Sequence, residues 1–173
     1  VVVVALLAFL LFNALGQSER SSASPAANPI FGMGTAVPDL GGQHVSPGQQ
    51  HAPYNSNPPT SGPHYGASVN WGVYQEPVAE EYWVHNLEHG GVVILHNCPE
   101  GCPEIVRQLE NIYKTTRPGP FNNVKIIVTP SQKIPGKIAL SAWNYYDLLN
   151  EFDEARIRAF IANHIEKGPE KVP

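Results

Sequence analysis

Residues 85–102 read HNLEHGGVVILHNCPEGC, and the rest of the chain can be interpreted outward from this stretch. It contains three of the seven histidines, both cysteines and two glutamates. Its centre, VVIL at 92–95, is a short apolar run rich in β-branched residues, which predicts a buried strand. A turn follows at CPEGC, and Pro103 suits the first position of a helix. The stretch therefore predicts a strand, a turn and a helix, with potential metal ligands on both sides of the strand.

The chain after Pro103 predicts a small α+β fold. Apolar residues recur at helical spacing from 105 to 113. The runs VKIIVT at 124–129 and IALSAWNYY at 138–146 predict two further strands. A last helix follows Asp153, a residue type that caps helices. The order strand–helix–strand–strand–helix predicts a small mixed sheet with the helices on one face.

Residues 51–82 are rich in turn-forming and aromatic side chains and predict a long ordered N-terminal loop. The dipeptides Pro58-Pro59 and Gly62-Pro63 in this segment favour extended and turn geometry over helix or strand. We therefore expect regular structure to begin near residue 91.

The chain opens with twelve uninterrupted apolar residues, VVVVALLAFLLF, and carries no charge before Glu19. A transmembrane helix needs about 20 such residues. We expect residues 1–16 to belong to a transmembrane anchor whose start is missing from the sequence. A signal-peptide remnant is the alternative, and the apolar run alone does not exclude it. Either interpretation places the rest of the chain on the periplasmic or extracellular side of a membrane.

Composition divides the remainder into three parts. Residues 17–47 are rich in Ser, Gly and Pro and predict a linker, residues 48–168 an extracytoplasmic α+β domain, and residues 169–173 a tail. A linker of this kind is mobile in isolation, so its ordering would require contacts with its own domain or with other chains. We expect residues 1–50 to contact an integral membrane complex, such as a photosynthetic or respiratory assembly.

The overall charge and the motifs limit the classes of function. The net charge is −4 and no basic stripe is present, which argues against nucleic acid as a partner. No GxSxG sequence supplies a hydrolase nucleophile. We therefore expect a binding protein rather than an enzyme.

The histidines of the HNLEH sequence predict a metal site. His85 and His89 would share one face of a helix, where they could bind one ion, but on a strand they would lie about 13 Å apart. A loop or tight turn could also bring them together. His64, in PPTSGPHY, and His51, in HAPY, can supply further imidazoles. We predict metal ligation by His64, His85, His89 and His51, with copper favoured and zinc as the alternative.

Glu88 is predicted to orient one of these imidazoles through its ring N–H. HNLEH also fits the H-x-x-E-H pattern of some zinc peptidases, but that mechanism needs a long helix and a distant glutamate ligand. The glycines after His89 and the strand beyond them disfavour it. His44 and His164 are expected to be structural.

Cys98 and Cys102 are a disulfide or redox pair. In an oxidising compartment a plain disulfide is expected. A thiol at a helix N-terminus has a lowered pKa, however, and two thiolates at this spacing can bind Cu(I). CPEGCP resembles the CxxxCP loop of the Sco copper chaperones over six residues. In that resemblance, His96 or His89 could correspond to the histidine ligand of the Sco family.

Four longer motifs resemble one bacterial family, domain-of-unknown-function family 3105. They are PPTSGPHY at 58–65, GVYQEPV at 72–78, VHNLEHGGVVIL at 84–95 and FDEARIRAFIANH at 152–164. The resemblance spans about residues 48–166. It implies an extracytoplasmic domain with an N-terminal anchor, a signature that includes His64, His85, Glu88 and His89, and a cysteine pair found in a subset of members. It implies no particular activity.

The sequence as a whole predicts a membrane-anchored extracytoplasmic domain that binds a metal and docks on a larger membrane complex. Two alternatives remain open. One is a purely structural assembly subunit with a Cys98–Cys102 disulfide. The other is a thiol redox protein or metallochaperone.

Overall fold

The computed structural model describes residues 30–172. These residues hold eight strands: β1 (Thr35–Ala36), β2 (His44–Val45), β3 (His64–Tyr65), β4 (Gly72–Val73), β5 (Val92–His96), β6 (Ile126–Pro130), β7 (Ile138–Ala142) and β8 (Tyr145–Leu149). They also hold three helices: α1 (Glu80–Glu88), α2 (Pro103–Thr115) and α3 (Glu154–His164). The predicted α+β class is confirmed.

Strand β5 lies inside a six-stranded mixed sheet of order β1-β8-β7-β5-β6-β4. It pairs in parallel with β6, and helix α2 forms the crossover between them. On its other side β5 pairs antiparallel with β7. A separate pair, β2 with β3, runs parallel outside this sheet.

Both faces of the sheet are covered by helices, so the expectation of helices on one face was wrong. Val92 and Ile94 point into a core with α2 and α3, whereas Val93 and Leu95 point into a second core with α1. Successive strand residues face opposite sides of a sheet, so a continuously apolar strand needs cover on both. Helix α1 supplies the second cover.

Helix α1 also corrects the expectation that regular structure begins near residue 91. Trp83, Val84 and Leu87 are its apolar contacts with the sheet, and all three are buried. The remaining face carries polar motif residues, which conceals the apolar stripe in the sequence. The prediction of a long loop ahead of α1 is correct in outline, although the loop contributes the two-residue strands β3 and β4.

The predicted third strand, 138–146, is a hairpin of two strands instead. β7 and β8 pair antiparallel around a turn at residues 143–144. Asn144 has a φ of +63°, a left-handed conformation that Asn adopts more readily than most residues. The helices after β5 and β8 were predicted correctly, and the Asp153 side chain accepts a hydrogen bond from the Arg156 backbone N–H at 3.0 Å.

Residues 30–47, which composition assigns to the linker, lie against the domain. β1 pairs with the edge strand β8, and Val45 is buried. The imidazole of His164 donates from Nε2 to the Met33 carbonyl at 2.8 Å. Backbone pairing therefore orders this polar segment despite its composition. The predicted anchor and residues 17–29 of the linker lie outside the described residues. No helix within residues 30–172 has the length and apolar character needed to cross a membrane.

A buried lysine joins the end of α1 to the C-terminal segment. The Lys125 ammonium group donates to the carbonyls of His89 at 2.9 Å and Val172 at 2.7 Å, and it pairs with the Glu166 carboxylate at 2.8 Å. Its side chain has no exposed surface. A cation close to the C-terminus of α1 also interacts favourably with the helix dipole.

We expect Lys125→Met to lower the free energy of unfolding by about 3 kcal/mol, because it removes one partner of a buried ion pair. Urea denaturation measures this change. The control is Lys133→Met, which removes an exposed lysine paired with Glu80 at 3.5 Å. That change should stay within about 0.5 kcal/mol. Equal effects of the two substitutions would contradict the assigned role of Lys125.

Candidate metal site

Some residues of the HNLEHGG sequence stabilise the fold, and others belong to a possible site. His85, Glu88 and His89 lie three and four residues apart, so they share one side of α1. Asn86 is fully buried and exchanges two hydrogen bonds with the Val69 backbone, at 3.0 and 2.9 Å. Gly90 has a φ of +81°, which allows the chain to turn from α1 into β5.

The PPTSGPH loop is fixed by hydrogen bonds to the β7–β8 hairpin. The Ser141 hydroxyl donates to the Pro59 carbonyl, and the Asn144 backbone N–H donates to the Thr60 carbonyl at 3.1 Å. The Ser61 hydroxyl accepts from the Leu40 N–H at 3.0 Å. These contacts place His64, at the end of the loop, in a defined position.

His44 joins His64 through strand pairing. The register of β2 and β3 sets the two histidines directly opposite each other, and their ring centroids lie 5.0 Å apart. The His44 ring also stacks on His85, with centroids 5.0 Å apart and planes 12° apart. His44 was expected to be structural, and the structure places it inside the histidine cluster.

A cluster of four potential ligands results: His44, His64, His85 and Glu88. One ligand atom from each lies within 4.8 Å of the others, so the group could hold a metal ion. A Glu88 carboxylate oxygen is 3.1 Å from His64 Nε2 and 3.7 Å from His44 Nε2. His64, His85 and Glu88 are buried, while the side chain of His44 is 53% exposed. The cluster therefore opens to solvent on the His44 side.

Backbone carbonyls determine which ring nitrogens are free. His64 Nδ1 lies 2.8 Å from the Gly62 carbonyl, and His85 Nδ1 lies 2.7 Å from the Tyr65 carbonyl. A carbonyl only accepts, so each Nδ1 carries the ring hydrogen and donates. In a neutral imidazole this leaves Nε2 with a lone pair.

As a result, two hydrogen-bond acceptors, His64 Nε2 and the Glu88 carboxylate, lie next to each other. His64 Nε2 lies 3.1 Å from a Glu88 carboxylate oxygen, and a neutral ring facing an ionised carboxylate leaves no hydrogen between the two atoms. Burial lowers the pKa of His64, against the opposing effect of Glu88, so its neutral form is favoured. A cation between the two groups would satisfy both.

The geometry suits a metal ion as that cation. Two ligand atoms each about 2.0–2.1 Å from one ion lie about 3.0–3.4 Å apart, which matches the separation of His64 and Glu88. Histidine ligands in proteins also donate their other ring N–H to a carbonyl or carboxylate, as His64 and His85 do. The arrangement puts Glu88 in position to bind an ion directly, whereas the sequence suggested that it orients an imidazole.

His89 lies beside the cluster rather than within the group of four. Its Nε2 is 3.0 Å from His85 Nε2 and 3.4 Å from a Glu170 carboxylate oxygen. Burial, followed by the nearby His85, lowers the pKa of His89. The helix thus brings the predicted His85–His89 pair into contact, with a carboxylate from the C-terminal segment that the sequence did not indicate.

His51 is the predicted ligand that the structure places elsewhere. Its Nδ1 lies 2.7 Å from the Ala52 carbonyl, and its Nε2 is 3.6 Å from a Glu81 carboxylate oxygen. Its ring packs on Tyr54. The loop carries His51 to the first turn of α1, whereas the cluster lies at the last turn.

The cysteines form a second grouping. Cys98 and Cys102 are joined as a disulfide in the turn between β5 and α2. His96, at the end of β5, lies close enough that the three residues could hold a metal when the sulfurs are reduced. This grouping shares no residue with the histidine cluster.

Fold and site together define an α+β domain with a buried imidazole–carboxylate cluster. Residues 44–173 match the family described as protein of unknown function (DUF3105), and the chain belongs to this family. The family predicted from the motifs is therefore confirmed. No curated protein and no solved structure matched significantly, and these comparisons lend no support to the Sco resemblance. The matched range begins at His44 and includes all four cluster residues.

Replacing Glu88 by glutamine tests whether His64 Nε2 and the Glu88 carboxylate are both acceptors. The amide group introduced by Glu88→Gln could donate to the His64 lone pair, so the metal-free protein at pH 8 should gain about 1 kcal/mol in its free energy of unfolding. Urea denaturation in the presence of a chelator measures this gain. The control Glu170→Gln, at an exposed carboxylate, should stay within about 0.5 kcal/mol. A loss of stability in Glu88→Gln would show that the carboxylate instead accepts from a protonated His64.

Proposed function

We propose that the chain is a membrane-anchored, extracytoplasmic metal-binding domain that serves as an accessory subunit of a larger membrane complex. The observation that carries the metal-binding part is the 3.1 Å approach of His64 Nε2 to the Glu88 carboxylate, with His64 Nδ1 already donating to the Gly62 carbonyl, inside a group of four potential ligands. Buried groups of this kind are costly unless a cation or hydrogen bond satisfies them. A bound metal ion would supply that cation.

The ligand types favour copper, with zinc as the alternative. Three imidazoles and one carboxylate are borderline donors that suit both ions. For a given set of such ligands, Cu(II) binds more tightly than Zn(II). Zinc would require a near-tetrahedral arrangement of the same four groups. Glu88, rather than His51, completes the ligand set in this proposal, and His89 lies next to His85 as a further imidazole.

Two features support the proposed compartment. The Cys98–Cys102 disulfide is typical of oxidising compartments, which supports a location outside the cytoplasm. The apolar run at the start of the sequence supports an anchor that holds the domain at the membrane.

Exposed apolar side chains support docking through the segment next to the anchor. Among the described residues, Ile30, Phe31 and Leu40 are large apolar side chains with 63%, 63% and 41% exposure. All three lie within the first eleven described residues. Ile30 and Phe31 are neighbours in the chain, and exposed apolar side chains that lie together commonly mark protein or membrane contacts.

Elemental mass spectrometry of the purified full chain tests the metal site. We expect one equivalent of copper after loading, or of zinc if copper is withheld. His64→Ala and His85→Ala should weaken binding by more than about 10–100-fold, the loss typical even of partners that only orient ligands. Chelator competition measures the affinity. His51→Ala is the matched control and should bind like the unaltered chain.

Two results would contradict the metal-binding proposal. One is the absence of copper and zinc after loading. The other is equal loss of metal from His51→Ala and His64→Ala. Comparing His44→Ala with His89→Ala then assigns the third imidazole. If no metal binds, the structural subunit with a disulfide becomes the better interpretation.

The apparent size of the detergent-extracted protein tests the docking proposal. Extracted from its native membrane in mild detergent, the chain should migrate with other membrane proteins, well above the size of one chain in a micelle. Ile30→Ser combined with Phe31→Ser should shift it toward the smaller species, because it removes exposed apolar contacts. Phe121→Ser, at a residue of 40% exposure far along the chain, is the control. Migration as a free monomer would contradict docking.

A further inference from the structure

A second cluster of potential ligands lies where β5 meets α2. His96 is the last residue of β5, Cys98 follows two residues later, and Cys102 is the N-cap residue of α2. One ligand atom from each of the three lies within 4.8 Å of the others. The disulfide between the cysteines holds the sulfurs beside the imidazole.

One ring nitrogen of His96 is unsatisfied. The residue is 8% exposed, and its Nδ1 is buried without a partner among the described residues. Burial lowers the pKa of His96 and so favours the neutral ring, in which one nitrogen carries a lone pair. An unsatisfied buried polar group costs stability and often marks a place where a ligand or ion binds.

The same imidazole lines a cleft that gives access to the cluster. The cleft has a volume of about 660 Å³, and its walls include Trp83, His96, Cys98, Pro130 and Lys133. Trp83 is 1% exposed, and its indole Nε1 also lacks a partner among the described residues. The cleft lies at the carboxyl ends of β5 and β6, where α/β proteins commonly place ligand sites.

The position of Cys102 favours a thiolate once the disulfide is reduced. No side chain caps the N-terminus of α2, and Pro103 occupies its first turn. Free backbone N–H groups and the helix dipole at such a position stabilise a negative sulfur. Cys102 is therefore suited to bind a soft metal ion.

We propose that reduction of the Cys98–Cys102 disulfide creates a second metal site, in which two thiolates and the His96 imidazole bind Cu(I). An external dithiol supplies two electrons and two protons: the S–S bond breaks, two cysteine thiols form, and the dithiol becomes a disulfide. Cu(I) then binds the sulfurs and releases the thiol protons. A low-molecular-weight disulfide reverses the step: the two cysteine sulfurs rejoin, the reagent takes up their two electrons and two protons from solvent to become two thiols, and Cu(I) is released.

The softness of the sulfur donors favours Cu(I) over Zn(II). Thiolates are soft ligands that favour Cu(I), and Cu(I) accepts three-coordinate sites. Zn(II) would need a water or another group to complete four ligands, because the cluster provides three. This site is independent of the histidine cluster, since the two share no residue.

The test measures Cu(I) binding to the full chain under anaerobic conditions, against a chromophoric Cu(I) chelator. A His64→Ala, His85→Ala background removes the ligands proposed for the first site. After treatment with a dithiol and its removal, we expect one equivalent of Cu(I), and much less without reduction. X-ray absorption of the copper should show both sulfur and nitrogen ligands.

His96→Gln retains both cysteines, and we expect it to weaken Cu(I) binding at least tenfold and to remove the nitrogen contribution from the X-ray absorption spectrum. Circular dichroism checks its fold. His164→Gln, at another buried histidine, is the matched control and should bind like the background chain. Cys98→Ser, checked for folding by circular dichroism, should abolish the reduction-dependent site.

Three outcomes would overturn the proposal. Equal Cu(I) binding before and after reduction would show that the cysteines take no part. Unchanged binding in His96→Gln, with sulfur alone around the copper, would show that the imidazole is not a copper ligand. Tighter binding of Zn(II) than of Cu(I) to the reduced chain, in parallel competition titrations, would overturn the assignment of the metal.

Discussion

The structure depends on the burial of β5 on both faces. Its side chains alternate between two cores, so one face needs α2 and α3 and the other needs a helix of its own. Helix α1 meets that need through Trp83 and Leu87, and its C-terminal turn is thereby held at the edge of the loop that carries His64. The site is a consequence of this arrangement, because the outer side of α1 carries His85, Glu88 and His89. One short helix both completes the core and presents the ligands.

A second constraint makes the cluster chemically specific. The carbonyls of Gly62 and Tyr65 take the Nδ1 hydrogens of His64 and His85. Their other nitrogens are then acceptors, and the Glu88 carboxylate beside them is an acceptor as well. Backbone geometry rather than side-chain flexibility sets this pattern. Lys125, buried beneath the His89 carbonyl, fixes the end of the helix from below.

Local patterns in the sequence predicted the elements whose signals are local. The strand at β5, the helix after Pro103 and the Asp153 cap all follow from spacing and composition within a few residues. The α1 helix was missed because its polar residues serve the site, so its apolar stripe is weak in the sequence. The β7–β8 hairpin was interpreted as one strand because its turn, at Trp143 and Asn144, lacks glycine and proline.

The site residues show the same division between local and long-range information. His64, His85, His89 and Glu88 could be singled out from motifs. His44 could not be singled out in this way. It comes opposite His64 only through the register of two short strands that residues 46–63 separate in the sequence. His51 was a reasonable candidate by composition, but the path of the loop decides its position. Sequence alone also left open whether His85 and His89 lie on a helix, and that choice determines whether they can meet.

The central claim is that the imidazoles of His64 and His85 and the Glu88 carboxylate surround a metal ion. The most direct measurement is a crystal structure of the chain grown with copper, with anomalous data collected at the copper edge. We expect one ion, about 2.0–2.1 Å from a ring nitrogen of each histidine, with both Nδ1–carbonyl bonds retained. In crystals that keep the Cys98–Cys102 disulfide, a copper peak elsewhere with none at this cluster, or no peak with the His64 ring turned to donate to Glu88, would contradict it.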